Sequence, residues 1–208
     1  AALADALGVH SPRGIDPESP ALSLPGGSIV TVEPGGQVEL SSSPYVSVSR
    51  LAPMLDADAR RLRNILGDAG IDMASVPADT ARAPERLLVL PRYCAMENRF
   101  TTIGPFGKLM MCNTAAAQVS VDAGRDRAEV AARWHMLHVI GPAFVSAFAR
   151  SPELAGAPAG DWASQRMRTW LELDSSRTDS SRTAVPNTGD PIADYARWAL
   201  DVPLLCIQ

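Results

Sequence analysis

The chain has 208 residues, 46% of them hydrophobic, and a net charge of −4; that is enough to bury a core, and without basic clustering it argues against a nucleic-acid partner. Three widely spaced cysteines, Cys94, Cys112 and Cys206, include no CxxC pair, so neither a zinc site nor a disulfide framework is indicated. The apolar runs are too short for a membrane-spanning helix and no signal-peptide pattern opens the chain, which predicts a cytoplasmic protein with no membrane partner.

Residues 1–7 read as the tail of a helix, and residues 8–25, with four prolines, as a loop. The stretch 27–41, GSIVTVEPGGQVELS, then alternates. Val30, Val32, Val38 and Leu40 are apolar, while Thr31, Glu33, Gln37, Glu39 and Ser41 are polar. This period of two on either side of Pro34-Gly35-Gly36 predicts a hairpin with one face in a core. Pro34 and Gly35 suit the second and third positions of a type II turn. A three-residue loop puts Glu33 opposite Gln37 and Thr31 opposite Glu39, so both glutamates share the polar face as diagonal neighbours, roughly 7–8 Å apart. Two carboxylates with no intervening Lys or Arg repel each other unless a cation sits there, and Mg²⁺ takes one or two carboxylates together with phosphate oxygens. The alternative is a solvated strand face.

From residue 47 to 69 the period changes to that of a helix. Leu51, Leu55, Leu62, Ile65, Leu66 and Ala69 fall on one face, and Asp56, Asp58, Arg60, Arg61 and Arg63 lie elsewhere. This helix is expected to cover the apolar face of the hairpin. Residues 77–91 form a Pro- and Arg-bearing connection, and PRYCAMENRF (91–100) is helix-like behind its opening proline. Residues 114–122 alternate again, which predicts a strand in the same sheet with Thr114 and Gln118 on its polar face. Residues 125–149 give the longest helical pattern, which Pro142 kinks or divides. His135 and His138 lie three apart on it, but no third ligand is near, so they read as structural or surface residues. Residues 151–160 are a Pro/Gly loop, 164–170 carry Arg166, Arg168 and Trp170, 175–191 read as a mobile surface loop, and 194–200 form a short helix.

Taken together, VTVEPGGQVELS, PRYCAM, LMMCNTAAAQVSVD, FARSP, SQRMRTW with LELDSSRT, and YARWALDVP resemble the plant-type glutamate–cysteine ligases, the carboxylate–amine ligase family of bacteria and plants. The flavour is that of the actinobacterial branch, whose product feeds ergothioneine synthesis. The resemblance implies an α+β, glutamine-synthetase-like catalytic fold, a curved antiparallel sheet backed by helices, with residues 1–208 forming part of one catalytic domain. It also implies ATP-dependent phosphorylation of the γ-carboxylate of L-glutamate, followed by attack of the L-cysteine amine to give γ-glutamylcysteine, for glutathione or ergothioneine.

The same resemblance fits Glu33 and Glu39 to Mg²⁺, matches Arg92 and Arg166 to the family's buried catalytic arginines, and matches Trp170 and Tyr195 to aromatic positions near the substrate, with core packing as their alternative. Thr114 and Gln118, on the polar face of the expected strand, are candidate substrate and ATP contacts. Arg166 has an alternative role as the ion-pair partner of Asp174. Family members also carry a Gly-x-Glu-x-Glu strand that is missing here, and both ends read as cut, so the chain is expected to be a fragment. A relative using another amine acceptor and a noncatalytic remnant are the competing readings.

Overall fold

The computed structural model describes residues 2–11, 21–178 and 190–204, and the backbone divides into two compact units, Ala1–Val76 and Pro77–Gln208. Cys206 and residues 179–189 of the expected mobile loop lie outside the described residues.

The first unit runs α1 (Ala2–Leu7), a single 3-10 turn (Gly8–His10), β1 (Ile29–Val32), β2 (Val38–Ser41) and α2 (Val48–Asp68). The strands pair antiparallel with Val30 opposite Leu40, Thr31 opposite Glu39 and Val32 opposite Val38. Glu33 N donates to Gln37 O at 2.8 Å, so the loop has three residues and Glu33 and Glu39 share a face, as parity requires. The turn itself is different from the expected one. Positive φ falls at Gly36 (87°) and not at Gly35, whereas type II needs it at the third position. A turn followed by a left-handed glycine is the usual three-residue hairpin.

The even positions face inward. Val30 is 1% exposed and joins Leu7, Leu24, Leu62 and Leu66 in a core that Val32, Val38 and Leu40 flank. Thus α2 covers the apolar face of the hairpin. Asp58 corrects the expected solvent face of α2, because it is 1% exposed. It lies three residues after Leu55 and four before Leu62, on the inward stripe itself. Its carboxylate accepts from Gly26 N at 2.7 Å and Ser28 N at 3.0 Å, clamping the chain just before β1. A Cβ at Gly26 would come within 2.7 Å of that carboxylate, so the approach requires glycine.

The second unit is helical: α3 (Pro91–Ile103), α4 (Phe106–Asn113), α5 (Arg127–Phe148), α6 (Gln165–Leu171), α7 (Ser175–Thr178) and α8 (Pro191–Asp201). Pro91 opens α3, and Gly104, at φ 153°, ends it. Gly107 then lets α4 lie against the Phe100 ring, where a Cβ would clash. Phe100, Met111, Cys112 and Leu173 form one small core, and Ala78, Leu109 and Leu154 another. The helix α5 starts on an Asp126 cap and continues through Pro142 without dividing. It meets α8 through rings, Trp134 lying 5.8 Å from Tyr195 and Tyr195 5.5 Å from Trp198.

The expected strand at 114–122 does not form. Thr114 makes one isolated bridge with Ala78, while Val119 and Val121 are 89% and 58% exposed. Among the described residues the only sheet is the two-stranded hairpin, so this segment has no strand to pair with. The architecture is helix-rich α+β, and the described residues hold no larger curved sheet.

Candidate functional site

In the first unit the hairpin presents the two glutamates. Thr31 Oγ1 donates to Glu39 Oε2 at 3.1 Å across the pair, which orients the Glu39 carboxylate on an exposed face. Two carboxylates and a hydroxyl on one strand face are oxygen donors of the kind Mg²⁺ takes, and Mg²⁺ keeps most of its shell for water and phosphate. Among the described residues no group of three or more His, Cys, Asp or Glu gathers into a metal cage.

In the second unit, α6 carries two arginines with opposite surroundings. Arg168 is 8% exposed and its guanidinium is engaged through Nε and Nη1. Nε donates to Glu172 Oε2 at 3.1 Å and Nη1 to Pro158 O at 2.7 Å, with the Phe106 and Trp162 rings 5.1 and 5.9 Å away. Arg166 is half-buried; its Nη1 approaches only Met167 Sδ at 3.5 Å, and its Nε is buried with no hydrogen-bond partner. Burial alone pulls its guanidinium below the ordinary arginine value. The alternative partner is taken: Asp174 pairs with Arg177 at 3.1 Å and accepts from Ser176. A desolvated guanidinium whose Nε lacks an acceptor is suited to bind a carboxylate or phosphate. Trp170, four residues on and 40% exposed, lies on the same helix face as Arg166.

The other expected residues are dispersed. Arg92, in the first turn of α3, is exposed rather than buried, its guanidinium resting 4.9 Å from the Tyr93 ring centre. Thr114 ends α4 and its hydroxyl donates to Met110 O at 2.8 Å. Gln118 is exposed in the unpaired segment. Tyr195 is half-exposed in the α5–α8 ring cluster. His138 Nδ1 lies 2.9 Å from Trp134 O and its ring 4.6 Å from that indole, while His135 is exposed, in keeping with structural and surface roles.

A polar bracket beneath these helices escaped the sequence patterns. Glu97 of α3 is held by Arg86 at 2.6 Å and by Lys108 of α4 at 2.8 Å. Hydrogen bonds from Lys108 and then Arg86 keep its carboxyl below the usual range against the opposing effect of burial. Nearby Cys112 is buried, and that burial pushes its thiol up to about 11, so it packs as a small apolar group and does not act as a nucleophile. The Ser151–Ser164 hydroxyl pair at 3.0 Å, which joins the FARSP and SQRMRTW blocks, was also hidden; its one sequence signal is a serine immediately before a helix.

A family model described as glutamate-cysteine ligase family 2 (GCS2) matches residues 5–207. The chain is 39% identical over 188 residues to glutamate–cysteine ligase EgtA of Mycobacterium tuberculosis, covering 89% of this chain and 42% of that protein. It is 38% identical to EgtA of Mycolicibacterium smegmatis, with 89% and 43% covered, and 27% identical to the chloroplastic glutamate–cysteine ligase of Arabidopsis thaliana, with 84% and 33% covered. The chain therefore spans under half the length of these relatives.

Proposed function

Since this chain belongs to glutamate-cysteine ligase family 2, we propose that it supplies part of a glutamine-synthetase-like catalytic domain that joins L-glutamate to the amine of L-cysteine at the expense of ATP. The observation that carries this reading is Arg166, a half-buried guanidinium whose Nε has no acceptor. The reaction brings anions together, because the γ-carboxylate of glutamate must approach the γ-phosphate of ATP, and it needs fixed positive charge where they meet. Arg166 binds one of those anions bidentately, Arg92 contributes a second positive charge, and Trp170 and Tyr195 offer aromatic contact. Thr114 and Gln118 supply polar contacts. Glu33 and Glu39 would hold Mg²⁺, which when bound offsets phosphate charge.

The carboxylate attacks the γ-phosphorus and ADP leaves, giving γ-glutamyl phosphate. The cysteine amine then attacks the acyl carbon, the C–O bond to phosphate breaks, and the ammonium proton is lost as γ-glutamylcysteine forms. The product enters thiol synthesis, glutathione or ergothioneine, in the cytoplasm.

The test is ADP release by the full-length polypeptide with ATP, L-glutamate and a panel of amino acids as acceptors. Cysteine should be preferred and γ-glutamylcysteine should accumulate. Preference for another amine identifies a different ligase, and no turnover with any acceptor identifies a noncatalytic relative. Glu39→Gln should lower turnover by at least about 100-fold at unchanged thermal stability, because Glu39 is exposed and the change keeps its volume; wild-type turnover at ordinary Mg²⁺ removes the metal role.

A further inference from the structure

The two arginines of α6 read alike in sequence, yet Arg168 is held by carboxylate and carbonyl acceptors while Arg166 keeps a buried Nε with no acceptor. Resting on the function proposed above, we propose that Arg168 is a positioning residue that fixes the orientation of Arg166 toward its anion. The helix α6 has seven residues, too few to hold its own geometry in water, so tertiary contacts must set its rotation. They do so at two places on the loop 151–163.

At the neck, Gln165 N donates to Ser151 O at 2.6 Å and Ser151 N to Ala163 O at 3.2 Å. Arg166 N reaches Ser151 Oγ at 3.3 Å. At the tip, Gln165 Nε2 donates to Gly160 O at 2.9 Å, and Arg168 Nη1 to Pro158 O at 2.7 Å. Gly160 is pressed so closely on Arg168 that a Cβ there would lie 2.9 Å from Nη1. The neck constrains the backbone of the first turn, and at the tip Arg168, one turn beyond Gln165, is the charged side chain that ties the helix to the loop. Arg166 sits two residues away on the same turn, so any rotation of α6 moves its unpartnered Nε as well. Lysine cannot replace this fork, because a single ammonium cannot serve Glu172 and the Pro158 carbonyl along two fixed directions.

The experiment measures kcat, and KM for L-glutamate and for ATP, in the full-length polypeptide with Arg166→Ala, Arg168→Lys and both together. Arg166→Ala should raise one of the two KM values. Arg168→Lys should raise the same KM by roughly tenfold, within the coupling seen between residues of one network, and kcat should change less. In the Arg166→Ala background, Arg168→Lys should have no further effect on that KM. An equal factor in both backgrounds shows that Arg168 is only structural and overturns the proposal. Unchanged KM values in Arg166→Ala overturn the anion role of Arg166, and the positioning proposal falls with it. If Arg168→Lys gives no cooperative melt, Glu172→Gln loosens the same guanidinium more gently. It should show a smaller rise with the same dependence on Arg166; an additive rise, or none, overturns the positioning role.

Discussion

The hairpin at 29–41 and the segment at 115–121 share an alternation of apolar and polar residues but meet opposite fates. Val30 is 1% exposed beneath α2, and Val119 is 89% exposed with nothing over it. What differs is what lies around the alternation. The hairpin has its partner strand just across a three-residue loop, a turn whose left-handed position falls on Gly36, and an amphipathic helix following it. The other segment has one bridge at Thr114 and no strand beside it among the described residues. Alternation specifies which face a strand would bury, but pairing and cover decide whether the strand exists.

Mutations that remove cover from the hairpin should therefore cost most. Leu66→Ala, at 1% exposure in the core beneath β1, should destabilise the chain by about 3 kcal/mol, read by urea unfolding. A loss below about 1 kcal/mol would show that α2 is not what holds the sheet. Asp58→Ala should cost about 2 kcal/mol, because the buried Gly26 and Ser28 amides lose their acceptor. Its pH dependence sharpens the point. Burial pushes the Asp58 carboxyl up, but hydrogen bonds from the Ser28 hydroxyl and the two amides, with the charge of His10, together bring it below its ordinary value of 3.8. Its contribution is thus complete above that value and is lost as pH falls through the lower folded-state value. The stability gap between wild type and Asp58→Asn should be constant at neutral pH and close only in acid; a gap that closes between pH 5 and 7 would contradict the clamp. Val119→Thr in the exposed segment should stay within about 0.5 kcal/mol, and a larger loss would show that this segment is covered after all.

These contrasts also mark how far the sequence could be read. The hairpin register followed from Val30, Val32, Val38 and Leu40 because one buried face forbids a slip of one residue. The helices α2 and α5 followed from apolar spacing and the start of α3 from Pro91, whereas the helix expected at 194–200 begins earlier, at Pro191, which reads in sequence as the end of a loop. Asp58 was hidden because a carboxylate on an apolar stripe looks like a surface charge until the amides it accepts from are known. Arg166 and Arg168 could not be told apart, since their difference lies in the Pro158 carbonyl and the Glu172 carboxylate that reach one of them. The loop that brings Ser151 to Ser164 is a tertiary closure with no periodic signature. The blocks resembling known ligases pointed to Arg166 but equally to Arg92, which the fold leaves exposed.

Oxygen transfer is the most direct test of the proposed activation of the glutamate γ-carboxylate as an acyl phosphate. L-glutamate carrying ¹⁸O in its γ-carboxylate would be turned over with ATP and L-cysteine by the full-length polypeptide, and the released phosphate examined by mass spectrometry. Attack of that carboxylate on ATP predicts one ¹⁸O atom transferred to phosphate for each γ-glutamylcysteine formed, with the transfer suppressed in Arg166→Ala. Unlabelled phosphate accompanying product, or labelled phosphate at the wild-type rate in Arg166→Ala, would contradict the account.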